Sequence, residues 1–292
     1  MQRDDNKYKV FNYGLALALI SAFLYAFNVI IEKKYVGYMN SETILFLMYL
    51  GSGVGLYLIH VFSKNSYRFK SERITKKDVP KIIMIVLCEL FASFFIIEVV
   101  KRVNASLVSL LSVFEIVMTS LLASLIFKTV IKKNEVIAII LVIIGSVILN
   151  IKVDLFSNIG ISSLMVIVAC FCWGLENNIT ASISHKEPAL FTSIKCGAVS
   201  LLYLVFVLIN KSFSLSYPVL IFYGFFTYGL AILAYAISTK YLGASKSTLI
   251  FSFSPIFGVF LAFIIYHEPI TISFVISLIF MVFGIILIRS KE

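Results

Sequence analysis

Five ionisable side chains fall inside long apolar stretches of this 292-residue chain: Glu89, Glu98, Glu115, Glu176 and Lys195. A charge at membrane depth costs several kcal/mol by most estimates, so each is a functional candidate by default. A carboxylate so placed can take and release a proton or hold an ammonium group; a lysine can hold a carboxylate. At about 100° per residue, Cys172, Trp173, Glu176, Thr180 and Ser184 fall within roughly 120° of one helical face, with Asn177 flanking them. A polar face with one aromatic suits the wall of a cavity, and a plain helix–helix hydrogen bond is the competing reading.

Lys195 belongs to the next apolar stretch. The turn between the two, near His185–Lys186, lies midway between Glu176 and Lys195. The two side chains should therefore meet at similar depth on antiparallel helices. If functional, Lys195 takes the carboxylate and Glu176 the ammonium of a zwitterion. If structural, the pair only neutralises itself, or Lys195 snorkels some 9–12 Å to the interface. Glu115 shares a stripe with Ser109, Ser112 and Thr119, and Glu89 shares a face with Ser93, so both are candidate proton-coupling groups. Glu98 lies about 180° from Glu89 and precedes Lys101 and Arg102 by three and four residues, the spacing of an interfacial salt bridge. Trp173, Tyr25 and the nearby Asn28 complete the substrate-binding candidates, because an aromatic face beside a carboxylate can hold an ammonium by cation–π attraction. Lys246 is expected to snorkel inward, and His267-Glu268 to cap or form a loop.

The elements that must position these groups are apolar blocks of membrane length. The chain is 60% hydrophobic and 14% charged, with mean hydropathy +1.01, whereas a soluble domain carries roughly a quarter of its residues as charges. The blocks read Asn12–Ile31, Glu42–Phe62, Val79–Val100, Ala105–Phe127, Glu135–Asn150, Gly160–Ser184, Ala189–Ile209, Pro218–Thr239, Ala244–Tyr266 and Ile272–Ile288. They predict an all-α membrane protein of about ten transmembrane helices. The net charge of +10 does not mark a nucleic-acid binder, because its distribution follows the membrane. With the N-terminus inside, the tails and even-numbered connections hold most of the Lys and Arg, including Lys64, Arg68, Lys76, Lys77, Lys132 and Lys186. This positive-inside bias predicts both termini in the cytoplasm, with the basic 63–78 connection lying on anionic headgroups. The first segment lacks a small-residue cleavage site and is read as a retained helix. Cys88, Cys170, Cys172 and Cys196 sit in apolar segments without metal spacing, so no disulfide, metal or cofactor is expected.

An internal repeat organises the segments. A shift of 139 residues places Ala244-Ser245 on Ala105-Ser106, Phe253 on Phe114, Leu261-Ala262 on Leu122-Ala123 and Gly284 on Gly145. A shift of about 148 places Trp173-Gly174 on Tyr25-Ala26. Residues 1–152 and 153–292 are thus expected to be two five-helix units, and an odd number of helices forces the second to enter from the opposite side. Loop charge agrees: the connection 128–133 carries three lysines, while its counterpart 267–272 carries none and contains Glu268. Inverted repeats can exchange conformations around a site near the midplane, which is the mechanics of a secondary transporter.

With Cys172-Trp173-Gly174 early in the sixth segment, Leu242-Gly243-Ala244-Ser245 through Ser254-Pro255, and the closing His267-Glu268-Pro269, the chain resembles the EamA-type family of the drug/metabolite transporter superfamily. It departs at His267, where the family commonly has Gly, at Glu115-Ile116 in place of Glu-Pro, and at Lys128-Thr129 in place of Gly-Glu. The resemblance implies transport of small metabolites, often amino acids, by an ion-coupled or facilitative route. No P-loop, nucleophile elbow or His-Glu-x-x-His occurs, and the three His, at 60, 185 and 267, lie near helix ends, so an enzyme is not expected. The expected function is alternating-access export of a small polar metabolite across the cell membrane, with amino acids leading and protons as coupling partner. A carrier of cationic or quaternary amines and a non-transporting membrane binding or regulatory protein stay open as alternatives, as does association into a homo-oligomer.

Overall fold

Leucine, isoleucine, valine and phenylalanine dominate each block, and the backbone closes its own hydrogen bonds as helix, the form an apolar solvent demands. The computed structural model describes residues 2–63, 72–100, 112, 114–149, 161–266 and 272–289. The helices are α1 (Gln2–Val36), α2 (Ser41–Ser63), α3 (Val79–Val100), α4 (Phe114–Leu125), α5 (Lys133–Leu149), α6 (Ile161–Ile183), α7 (Pro188–Ile209), α8 (Val219–Tyr223), α9 (Leu230–Leu242), α10 (Ala244–Phe251), α11 (Ser254–Tyr266) and α12 (Ile272–Arg289). Six stretches among the described residues are long and apolar enough to cross a membrane: Val10–Val36, Ser41–Phe62, Lys76–Val99, Leu164–Ile183, Pro188–Ile209 and Val219–Leu242.

Three boundaries differ from the apolar blocks. Helix α1 continues past Ile31 to Val36, so Glu32 lies within it. The stretch Ala244–Tyr266 is two helices, broken at Ser252–Phe253. Pro255 suits the break, since it has no N–H to continue the ladder of the preceding helix and is tolerated in the first turn of the next. Between α8 and α9, Gly224–Gly229 winds as π-helix, and Thr227 returns its hydroxyl to the Tyr223 carbonyl at 2.9 Å.

Close crossings use small residues. A Cβ added at Gly224 would run into the Met48 backbone, and one added at Gly51 into the Ile221 carbonyl, so α2 and the α8–π–α9 span touch backbone to backbone. Ser52 bonds the Gly224 carbonyl there at 2.8 Å, and Ser193 of α7 bonds the Gly53 carbonyl of α2 at 2.8 Å. Such contacts bind helices where lipid removes the hydrophobic drive between them. Large apolar side chains such as Leu58, Ile83, Leu201 and Ile279 point outward.

The packing partners form a regular set. Helix α1 packs on the α8–π–α9 span and α3 on α6; α2 packs on α7, and α5 on α12. Helix α4 meets α6, α1 meets α10 and α11, α4 meets α10, α3 meets α7, and α2 meets the π stretch. Among these strongest contacts, exchanging the segments in order between residues 1–152 and 153–292 returns the same pairs.

Two clasps join the ends of helices. On one side, Glu72 N–H donates to the His185 carbonyl at 3.2 Å and Glu187 N–H to the Glu72 carbonyl at 3.1 Å. Ile74 N–H donates to Glu187 Oε2 at 3.1 Å, and Lys186 Nζ meets Asp78 Oδ2 at 2.7 Å. The basic connection after α2 was expected on lipid headgroups. Its residues 64–71 lie outside the described set, while residues 72–78 are tied to the α6–α7 turn. On the other side, Asn210 donates to Glu42 Oε1 at 3.1 Å, Thr43 Oγ1 to the Ser212 carbonyl at 2.8 Å, and Tyr35 stacks edge-on with Tyr217 at 5.1 Å.

Candidate functional site

Glu176 and Lys195 meet, as the hairpin geometry requires. Lys195 Nζ donates to Glu176 Oε1 at 2.6 Å, and both side chains are buried. The same ammonium also donates to Glu89 Oε2 of α3 at 2.8 Å. Lys195 therefore does not snorkel to the interface; two carboxylates hold it inside. Three helices converge here because α6 and α7 form a hairpin and α3 packs on both.

The two carboxylates are not equivalent. Glu89 Oε1 accepts hydrogen bonds from the hydroxyls of Tyr49 and of Tyr228, the latter at 2.7 Å, so both its oxygens are satisfied. Tyr49 and Tyr228 also touch through their hydroxyls at 3.0 Å. Below Glu89 in the same helix, Ser93 bonds the Glu89 carbonyl at 2.6 Å and the Tyr203 hydroxyl at 2.8 Å. Glu176 Oε2, by contrast, is buried with no hydrogen-bond partner. With both carboxylates ionised, this centre carries one negative charge more than Lys195 balances. An uncompensated buried charge is strongly unfavourable, so the centre calls for a proton or another cation.

A second polar cluster lies one residue along α6. Asn177 donates to Glu115 Oε1 at 2.8 Å and approaches Thr119 Oγ1 at 3.3 Å and Thr248 Oγ1 at 3.4 Å. Tyr235 and Thr248 share a hydroxyl contact at 2.7 Å. Asn178 ties α6 to α4 through the Thr119 carbonyl at 2.8 Å. A third group links α1 to the π stretch: Asn28 donates to Glu32 Oε1 at 2.8 Å and accepts from Thr227 at 3.3 Å.

Aromatic rings run between these clusters. Tyr203 stacks on Tyr49 at 6.0 Å, Tyr49 meets Tyr228 at 4.8 Å, and Tyr228 meets Tyr25 at 6.4 Å. The series continues through Phe251, 5.1 Å from Tyr25, to Tyr235 at 5.5 Å. Trp173 lies half-buried on α6, three residues before Glu176.

The structure thus brings Glu89, Glu176 and Lys195 into one bonded centre, puts Glu115 with Asn177, and puts Tyr25 and Asn28 on α1 against the π stretch. Ser109, Lys101, Arg102, His267 and Glu268 lie outside the described residues, so the Glu98 salt bridge and the His267-Glu268 cap do too. Lys246 approaches Glu135 at 3.9 Å and the Phe11 ring at 5.7 Å. Sequence reasoning missed Glu32, Tyr49, Tyr228, Tyr235 and Thr248. Glu32 could have been found by letting the first helix run on past its apolar block. The tyrosines carry no local signal, being three among 15.

Comparison with known proteins follows the same lines. A family model described as the EamA-like transporter family matches residues 12–151 and again residues 160–290. An "uncharacterized transporter" of Methanothermobacter thermautotrophicus is 25% identical over 294 residues, covering 94% of this chain and 86% of that protein. A solved crystal structure aligns with TM-score 0.77 at 11% identity, over 96% of this chain and 99% of that one, a likeness of fold.

Proposed function

Since the chain belongs to the EamA-like transporter family, we propose that it is a secondary transporter that exports a small polar, amine-bearing metabolite by alternating access. It is a multi-pass protein of the cell membrane. The observation that carries the proposal is the buried Glu89–Lys195–Glu176 centre, with two carboxylates on one ammonium and a free oxygen on Glu176. A centre short of one positive charge binds either a proton or a substrate cation, and each can displace the other. That exchange is what couples a substrate to a proton gradient.

The roles follow from the bonding. Three donors hold Glu89 as the carboxylate that anchors Lys195, so Glu176 is better suited than Glu89 to take up the proton. Glu115, with one oxygen on Asn177, is a second proton site. Trp173, Asn177, Tyr25 and Asn28 complete the binding wall. Alternating access would use ten crossings in two inverted five-helix units, residues 1–152 and 153–292, with both termini in the cytoplasm. What supports this is the packing set that is unchanged when the halves are exchanged, together with the loop charges. The clasp of residues 72–78 with 185–187 would close the cytoplasmic side, and that of residues 35–43 with 210–217 the outer side.

Counterflow in proteoliposomes loaded with single amino acids and amines tests the proposal. Exchange of labelled substrate for at least one of them is the expected result. No exchange for any would favour a membrane binding or regulatory protein that moves nothing.

A further inference from the structure

The bonding of Lys195 bears on the charge of the cargo. Two of its three N–H donors are committed, to Glu89 at 2.8 Å and to Glu176 at 2.6 Å, and the Tyr228 ring lies 5.8 Å from the ammonium. A substrate carboxylate reaching Lys195 would sit against two carboxylates already there, like charges at contact in a low-dielectric interior. The remaining acceptor capacity has the opposite preference. Glu176 is 6% exposed, and its Oε2 has no donor. Glu115 lies within electrostatic reach of Glu89 and Lys195, and Tyr25 within reach of Glu32, Glu89 and Glu115. Tyr49, Tyr228, Tyr25, Phe251 and Tyr235 set a run of ring faces between these carboxylates. Ring faces and unpaired carboxylate oxygens both attract an ammonium and repel an anion.

Resting on the transporter reading, we infer that the cargo is an organic cation, an amine without a carboxylate, whose ammonium binds Glu176 Oε2 and the tyrosine faces while Lys195 stays bonded to Glu89 and Glu176. Lys195 is then a positioning residue that holds both carboxylates in place, not the receptor of a substrate carboxylate. A zwitterionic amino acid lacks a second receptor in this arrangement.

Matched pairs that differ only by the carboxylate test this: phenethylamine against phenylalanine, and isoamylamine against leucine. Alkylamines, like a lysine side chain, stay protonated near neutral pH. Each compound is titrated on the purified full-length protein with thermal stabilisation as the readout, since a ligand stabilises the state it binds. The expected result is a midpoint at least tenfold lower for each amine than for its amino acid, with the amine response lost in Glu176→Gln. The wild-type comparison decides even where the variant fails to fold. Amino acids stabilising as well as or better than their amines would overturn the inference. Counterflow with the same pairs separates the two readings. Exchange of amino acids without amines overturns the cation inference and leaves the transporter; exchange of neither member of either pair, with no stabilisation, overturns both.

Discussion

Glu89 and Glu176 share one ammonium, yet their environments assign them different work. Glu89 has donors on both oxygens, from Tyr49, Tyr228 and Lys195, and its removal leaves a lysine and two tyrosine hydroxyls short of an acceptor. Lys195 keeps Glu176 as a partner, but an amide in place of Glu89 must turn its NH2 toward either the ammonium or the tyrosine hydroxyls, and a buried donor set against donors costs about 1–3 kcal/mol. Glu89→Gln is therefore expected to lower the thermal midpoint of the purified protein well below that of Glu176→Gln, which gives up only one bonded oxygen. Equal midpoints would contradict the division of roles. The Glu176–Lys195 contact was legible in the sequence because a tight hairpin fixes the depth of residues equidistant from its turn. The third partner was not. Glu89 lies 106 residues from Lys195, and only the packing of α3 on the hairpin brings them together. Tyr49 and Tyr228 were hidden by abundance, since an aromatic in a membrane helix faces lipid, core or cavity with the same sequence appearance.

At the scale of elements, the backbone-to-backbone crossing of α2 with the α8–π–α9 span sets where Tyr228 and Tyr49 can meet Glu89. Gly224 and Gly51 leave no room for a side chain. Gly224→Leu is expected to destabilise by about 1–3 kcal/mol, as overpacking does, and to abolish transport by displacing Tyr228. Thermal unfolding and counterflow together check this; a variant that transports normally would show that the crossing does not position the site. The clasp of residues 72–78 on the α6–α7 turn rests on Lys186–Asp78 and on backbone bonds. Lys186→Met should loosen it and favour the conformation open on that side. The measurement is labelling of a single introduced cysteine at Thr180 by an impermeant maleimide, expected several-fold faster from the cytoplasmic face in the variant. Unchanged labelling would remove the clasp from the gating account. Neither the break before Pro255 nor the π-helical turn at Gly224–Gly229 was read from the sequence, although the proline itself was a local signal for the first. The turn depends on tertiary contacts with α2 that no local pattern reports.

For the molecule as a whole, apolar segments of membrane length made the all-helical membrane architecture readable from the sequence. The strongest helix pairs survive exchange of the two proposed halves, α1 on the α8–π–α9 span corresponding to α3 on α6, which supports the proposed inverted repeat. The polar interior does not obey the relation: Glu176 and Lys195 belong to the second half, and Glu89 and Glu115 to the first. In the proposed mechanism the excess negative charge lies between the two units, and rocking of one against the other exposes it to either side in turn. The most direct test is amine uptake driven by an imposed pH gradient in proteoliposomes, with internal pH recorded alongside labelled phenethylamine and the uptake of protein-free liposomes, through which the neutral amine passes, subtracted. The wild-type protein is expected to move amine and protons in opposite directions, and Glu176→Gln, still folded by its thermal midpoint, to lose gradient-driven uptake at least tenfold. Uptake by Glu176→Gln at the wild-type rate and with the wild-type pH dependence would contradict it.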